Sequence, residues 1–246
     1  MKLAILSDIH ANREALTACL AHAQRQGCDE FVFLGDLVGY GADPHACLDI
    51  VRWHAENGAI VVRGNHDDAA LGGLCEDMNF DAREATYWTR QQLSADERDF
   101  LDHLPYAAEQ PGRLFVHASA AEPTKWAYIA SQKAAERCLA ATHAGSVFVG
   151  HVHHPSLFFS VRNQVMAFMP QPGVPVSMTQ GRRWLVIAGS VGQPRDGNPA
   201  AAYLTFDVLR NQATFYRVPY DWMSAAAKIR AAGLPDVLAT RLEHGQ

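Results

Sequence analysis

Asp8-Ile9-His10, Gly35-Asp36, Gly64-Asn65-His66-Asp67, His117 and Gly150-His151-Val152-His153 are where groups able to do chemistry concentrate in this 246-residue chain. Each follows a short apolar run. Asp8 and Asp36 offer carboxylates, Asn65 a neutral amide, and the histidines imidazoles. A carboxylate can bridge two cations, and imidazole suits Mn, Fe, Ni, Co or Zn better than Mg or Ca. The set therefore suits two divalent ions held close together, which can share a bridging hydroxide and attack phosphorus. Two such ions against two aspartates leave a net positive site, which favours a phosphate anion. His151 and His153 lie two apart and, on an extended segment, would point to the same side. One cluster alone is weakly specific; five in this order, each behind a candidate strand, are strongly so.

These groups need a scaffold that brings distant segments together. Leu3 to Leu6, Phe31 to Leu34 and Ala59 to Val62 are continuous apolar runs, the pattern of strands buried on both faces. After the first run, Asn12 can cap a helix whose apolar stripe is Ala15, Leu16, Cys19, Leu20 and Ala23, ended by Gly27. After the second, Asp43-Pro44 reads as N-cap and N1 of a helix with Cys47, Leu48 and Val51 inward, stopped by Gly58. A βαβαβ run implies right-handed crossovers and a parallel sheet. Arg113 to Val116 and Ser146 to Val149 read as strands leading into His117 and Gly150-His151. Ligands in such folds gather beyond the carboxyl ends of strands, where Asp8, Asp36, Asn65, His117 and His151 all fall.

Residues 68–81 lack a clear period and read as a loop beside the site. Helices are expected over 83–93, 95–103 (Ser94 as cap) and 131–141, with a loop over 119–130. Candidate strands 156–161, 164–168, 174–178, 184–188, 201–207 and 212–218 are separated by Gly, Pro and Asn at hairpin-like spacing. Two short helices, 222–232 and 236–243, follow. The expected fold class is α/β: one domain over 1–246, with two packed mixed β-sheets flanked by helices.

With 21 Lys and Arg against 26 Asp and Glu, the formal charge is -5. No basic run is present, which argues against an extended nucleic-acid surface. A small phosphoester substrate remains compatible, because bound metals supply local positive charge. The five cysteines include no CxxC pair and read as free thiols in a reducing compartment. Met1 to Leu6 is too short for a signal peptide, and no apolar run reaches the roughly 18 residues that span a membrane. The expected location is cytoplasmic, with no membrane partner; nothing in the pattern specifies an oligomeric state.

In order, the clusters read D-x-H, G-D, G-N-H-D, H and G-H-x-H. This resembles the calcineurin-like metallophosphoesterase superfamily over nearly the whole chain. The resemblance implies a four-layer α/β/β/α sandwich and a binuclear centre. Asp8, His10 and His153 would hold one metal, Asn65, His117 and His151 the other, and Asp36 would bridge both, with Mn the first candidate ion. His66 would bind no metal and would face the leaving group or a phosphoryl oxygen. Gly35 to Pro44 and Gly189 to Gly197 are similar to segments of small bacterial phosphodiesterases of this superfamily, some of them diadenosine tetraphosphatase-like. The implied activity is phosphodiester hydrolysis by in-line attack of the metal-bridging hydroxide. Dinucleoside polyphosphate hydrolysis or phosphomonoester hydrolysis is the alternative, and a non-catalytic scaffold on the same fold is a third reading. The protein Ser/Thr phosphatases carry G-D-x-x-D-R-G, whose second Asp orients the catalytic His. Gly39 stands at that place here, leaving Asp67, Asp68 and Asp43 as candidate substitutes.

Around the centre, Arg195 could grip phosphate bidentately or form a stabilising ion pair. Asn12 and Tyr40 are further candidate substrate contacts, although Asn12 also has its capping role. Arg63 is a candidate support for the ligands. Tyr40, Trp126 and Tyr128 could line a base or aryl pocket or pack beneath loops. His154 is expected to face solvent or support a ligand. His22, His45, His54, His103, His143 and His244 are expected on the surface.

Overall fold

In β1 (Lys2–Leu6), Leu3 and Ile5 point one way, Ala4 and Leu6 the other, and all are buried. Period-two alternation then demands an apolar partner on each face. The computed structural model describes residues 1–73, 78–162 and 164–246 and supplies both partners. Ala4 and Leu6, with Phe33 of β2 (Glu30–Phe33), pack on Leu16 and Cys19 of α1 (Arg13–Arg25) and on Cys47, Leu48 and Val51 of α2 (Pro44–Glu56). Leu3 and Ile5 enter a second core with Phe115, Phe148 and Val186 of the opposite sheet.

The first sheet runs β3 (Ile60–Val61), β2, β1, β11 (Ala201–Asp207), β12 (Gln212–Val218), β9 (Val176–Ser177). Its β1, β2 and β3 are parallel; β11, β12 and β9 are added antiparallel. The second runs β4 (Ala107–Gln110), β5 (Arg113–Val116), β6 (Ser146–Val149), β10 (Trp184–Ile187), β7 (Ser156–Val161), β8 (Gln164–Phe168). Here β5, β6 and β10 are parallel. α6 (Gln132–Ala140) covers the outer face through Ala135, Cys138 and Leu139. The order α1/α2, sheet, sheet, α6 is the expected four-layer arrangement. α7 (Trp222–Ala231) and α8 (Asp236–His244) close a further cluster around Tyr40 with Ala82 and Ala85.

Several local expectations are revised. Residues 68–70 belong to α3 (Asn65–Ala70), not to the expected loop, because Asp67 accepts from Gly64 N at 2.9 Å and seeds the first turn. α4 (Phe80–Gln92) begins three residues before the expected 83, with Asn79 capping through Ala82 N. α5 (Ala95–Asp102) starts at the expected cap, Ser94, within a capping box closed by Glu97. The rest of the expected 68–81 loop includes residues 74–77, which lie outside the described residues, as does Cys75. β4 was not foreseen: Ala107–Gln110 has poor strand propensity, and pairing across the Pro111-Gly112 turn to β5 makes it an edge strand. Asp43 occupies the N-cap of α2, but its side chain does not cap. It binds Lys228 at 2.6 Å instead, and Lys228 also holds Glu14 at 2.5 Å, tying α7 to α1 and α2. His54 is buried, not surface, against Phe31 and Phe33, and His22 is half-buried with Nδ1 2.6 Å from the Tyr203 hydroxyl. No helix among the described residues is long and apolar enough to cross a membrane.

Phe148 is fully buried between the sheets, stacked on Phe115 at 5.4 Å and edge-on to Phe206 at 5.2 Å. Phe148→Ala should therefore lower unfolding stability by about 3–5 kcal/mol in denaturant titration. Leu209→Ala, at a side chain 87% exposed, should change it by less than about 0.5 kcal/mol.

Candidate metal centre

Parallel strands of both sheets end at one edge of the sandwich, and the loops leaving them are zipped together. Asp8 N donates to Gly35 O, His10 N to Asp36 O, Gly150 N to His117 O and Gly192 N to Asp8 O, at 2.9–3.1 Å. These bonds hold turns that L-residues disfavour: Asp8, His10, Ala11, Asp36, Tyr40, His151 and His153 all have φ between 49 and 65°. Backbone strain of order 1–3 kcal/mol per residue persists only where surrounding structure enforces it. The motif glycines permit the approach. A Cβ on Gly64 would lie 2.2 Å from Asp36 Oδ1, and one on Gly150 would lie 1.8 Å from Ser7 Oγ.

The closure brings together the residues expected from sequence. Ligand atoms of Asp8, His10, Asp36 and His153 lie within 4.8 Å of one another, and so do those of Asp36, His117 and His151. Asn65 Oδ1 lies 3.0 Å from His117 Nε2 and joins the second group. Asp36 belongs to both. His151 and His153 do not share a side as an extended segment would require. The left-handed turns at both residues send His151 Nδ1 to His117 at 3.2 Å and His153 Nε2 to His10 at 3.1 Å.

Proton positions follow from the outer hydrogen bonds. A carbonyl only accepts, so the ring nitrogen facing it carries hydrogen. His10 Nδ1 donates to Val38 O (3.3 Å), His153 Nδ1 to Gln193 O (2.6 Å), His117 Nδ1 to Leu34 O (2.6 Å) and His151 Nε2 to Trp126 O (2.9 Å). In each neutral ring the other nitrogen then presents a lone pair inward. Those lone pairs face one another, Asn65 Oδ1 and the carboxylates. Asp36 Oδ2 is buried with no hydrogen-bond partner among the described residues, 3.4 Å from His117 Nε2 and 3.7 Å from His10 Nε2. Asp8 Oδ1 is 3.3 Å from His153 Nε2, and its carboxylate accepts from His151 N. Acceptors packed on acceptors without protons are unfavourable unless cations lie between them. The donor set of imidazole, carboxylate and amide oxygen fits divalent transition metals.

Electrostatics agree. Burial lowers the His117 pKa, but the Asp36 carboxylate outweighs it and pushes it up to about 9, so positive charge is favoured at this nitrogen. Burial prevails at His151, lowered to about 3, and at His66, lowered to about 4. Burial raises the Asp8 and Asp36 carboxyls, yet His153 and His117 respectively overcome it and hold both below the usual range.

His66 stands apart from the inward set. Its backbone N donates to Asp36 Oδ1 at 2.8 Å, and its ring lies 4.4 Å from Tyr40 and 4.9 Å from His10. Its Nδ1 is buried without a hydrogen-bond partner among the described residues, and a Cβ on Gly39 would lie 2.7 Å from that atom. Position 39 thus faces His66, and glycine leaves it unsupported. None of the three candidate carboxylates substitutes. Asp67 is consumed by Leu37 N, Val38 N and Gly64 N, Asp68 by Arg63 and Tyr106, and Asp43 by Lys228.

Other expectations resolve locally. Asn12 is 3% exposed with its side chain committed: Oδ1 caps α1 through Ala15 N, and Nδ2 donates to Gly192 O and the Tyr220 hydroxyl. These bonds anchor the loop that follows β1. Arg63 braces Asp68, Tyr106 and Asp102, not the ligands. Tyr40 is buried against His10 and His66, whereas Tyr128 stacks on His151 at 4.0 Å and is 59% exposed. His154 faces solvent. Gln193, which sequence reasoning did not single out, is 1% exposed and supplies the carbonyl that orients His153. A backbone carbonyl carries no residue-type signal, so only its place in the Gly189 to Gly197 segment marked it.

The model of the calcineurin-like phosphoesterase superfamily domain matches residues 1–211. The protein MJ0912 of Methanocaldococcus jannaschii is 33% identical over 249 residues, covering 99% of this chain and 98% of that one. A metallophosphoesterase from Sphaerobacter thermophilus is 39% identical, with a TM-score of 0.89 over 100% of this chain and 99% of that one. The protein PH1004 of Pyrococcus horikoshii OT3, 19% identical, shares the fold with a TM-score of 0.79 over 100% of this chain and 98% of that one. Fold, motif order and convergent ligand groups agree, and the chain belongs to the calcineurin-like phosphoesterase superfamily.

Proposed function

We propose that this chain is a binuclear-metal-dependent phosphodiesterase. The observation that carries the reading is Asp36, whose buried carboxylate is common to both ligand groups and whose Oδ2 has no hydrogen-bond partner among the described residues. Asp8, His10 and His153 would hold one ion and Asn65, His117 and His151 the other, with Asp36 between them. Mn is the first candidate, and Fe, Ni, Co or Zn also suit the donors. Two bound divalent ions would lower the pKa of a water and screen charge on phosphoryl oxygens.

The protein's own groups do the rest. Carbonyls of Val38, Gln193, Leu34 and Trp126 fix the tautomers that leave inward nitrogens free. His66, held between Tyr40 and His10, presents an imidazole that hydrogen-bonds a phosphoryl or leaving oxygen. The diester preference rests on the similarity of the Gly35 to Pro44 and Gly189 to Gly197 segments to small bacterial phosphodiesterases. The test is a panel of bis-p-nitrophenyl phosphate, p-nitrophenyl phosphate and diadenosine tetraphosphate, assayed after chelation and addition of Mn, Ni, Co, Zn or Mg. The diester should be turned over fastest. Preference for either other substrate would replace the diester reading, and no turnover with any ion would end the enzymatic one.

His66→Ala should keep its metal content by elemental analysis while kcat falls about 10²–10⁴-fold; equal loss of both ions would contradict the assigned role. Asp36→Asn should weaken both ions together. Unchanged occupancy with full activity in that variant would refute the bridge.

A further inference from the structure

The segment Gly189 to Gly197 provides no metal ligand, yet it is clamped to the site at several points. Val191 N donates to Ser7 O and Gly192 N to Asp8 O, both at 2.9 Å. Ser190 Oγ donates to Asp8 O at 2.8 Å and accepts from Gln193 N at 2.8 Å. A Cβ on Gly192 would lie 1.8 Å from Ile9 O, so only glycine passes there. What this close fit delivers is Gln193. Its backbone carbonyl holds His153, and its side-chain Oε1 accepts from Arg195 Nε at 3.3 Å and Nη2 at 2.9 Å.

Arg195 is half-buried, with its guanidinium carbon 5.5 Å from the centre of the Tyr40 ring. That ring lies 4.4 Å from His66 and 4.6 Å from His10. Its charge is felt at His66, Tyr40 and Tyr128. Among the described residues no carboxylate pairs with it, because the adjacent Asp196 is taken by Arg217. A guanidinium has five N–H donors in a planar fork. Gln193 and the Tyr40 hydroxyl occupy only part of that fork, and neither neutral oxygen compensates the positive charge. A guanidinium held by neutral groups, with no carboxylate partner among the described residues and one aromatic ring from the ligand groups, is suited to binding phosphate.

We infer that Arg195 binds a non-bridging oxygen of the substrate phosphate, and that Gln193 is the positioning residue that aims it. The inference rests on the phosphoesterase reading of the same site. One residue thereby sets two parts of it: the Gln193 carbonyl orients a candidate metal ligand, and its amide orients the phosphate grip. The two roles separate by mutation, because Gln193→Ala keeps the backbone carbonyl and removes only the amide.

The test uses metal-loaded protein with inorganic phosphate as the calorimetric probe, alongside bis-p-nitrophenyl phosphate turnover and elemental analysis. Arg195→Ala should keep wild-type metal content, weaken phosphate binding about tenfold or more, and lower kcat/KM by about 10–100-fold, the range for a charge-assisted hydrogen bond. Arg195→Lys should restore only part of this, because lysine cannot span Gln193 and the phosphate together. Gln193→Ala should keep metal and weaken phosphate binding to a smaller extent. Combined with Arg195→Ala it should add nothing further, since it acts through Arg195. Unchanged phosphate affinity in Arg195→Ala overturns the inference. Full independent addition in the double variant overturns the positioning role. A wild type that binds phosphate through Arg195 but turns over no ester would defeat the catalytic reading and leave this one standing.

Discussion

The dominant constraint is a small buried volume into which imidazole nitrogens, carboxylates and an amide oxygen all turn their donor atoms. His10, His117, His151 and His153 each spend the outward ring N–H on a main-chain carbonyl. Their remaining nitrogens meet one another, two aspartates and an asparagine oxygen at close range. Such an array is repulsive by itself and attractive around divalent cations. The left-handed turns, the motif glycines and the zipped loops are intelligible as means of enforcing it.

The sandwich architecture makes the enforcement possible. β1 and β2 deliver Asp8 and Asp36 from one sheet, while β5 and β6 deliver His117 and His151 from the other. The centre sits on the seam. His117 Nδ1 crosses it to Leu34 O, and His151 N crosses it to the Asp8 carboxylate. Packing between the sheets, through Leu3, Ile5, Phe115 and Phe148, therefore sets ligand geometry as well as stability. The C-terminal helices contribute at one remove, by packing on Tyr40, which walls His10 and His66.

The strands that carry the ligands were legible because each is a continuous apolar run ending in a polar cluster. The stripe of α1 was legible in full, with Asn12 as its cap. The short pieces were not. β4 exists because β5 offers an edge, not because Ala-Ala-Glu-Gln prefers extension, and α3 depends on how Asp67 folds back onto Gly64. Within the site, residue type revealed which groups converge but not how they are oriented. That information lies in backbone carbonyls and left-handed torsions, which any residue type can supply. The missing partner of His66 was visible as Gly39 in the motif; only the geometry shows that Asp67, Asp68 and Asp43 are engaged elsewhere.

The most direct measurement is anomalous diffraction from crystals of the protein grown with manganese. Two peaks should flank Asp36, about 3.5–4 Å apart as in two-metal sites, one beside Asp8, His10 and His153 and the other beside Asn65, His117 and His151. A single peak, or none at this edge of the sandwich, would contradict a binuclear centre.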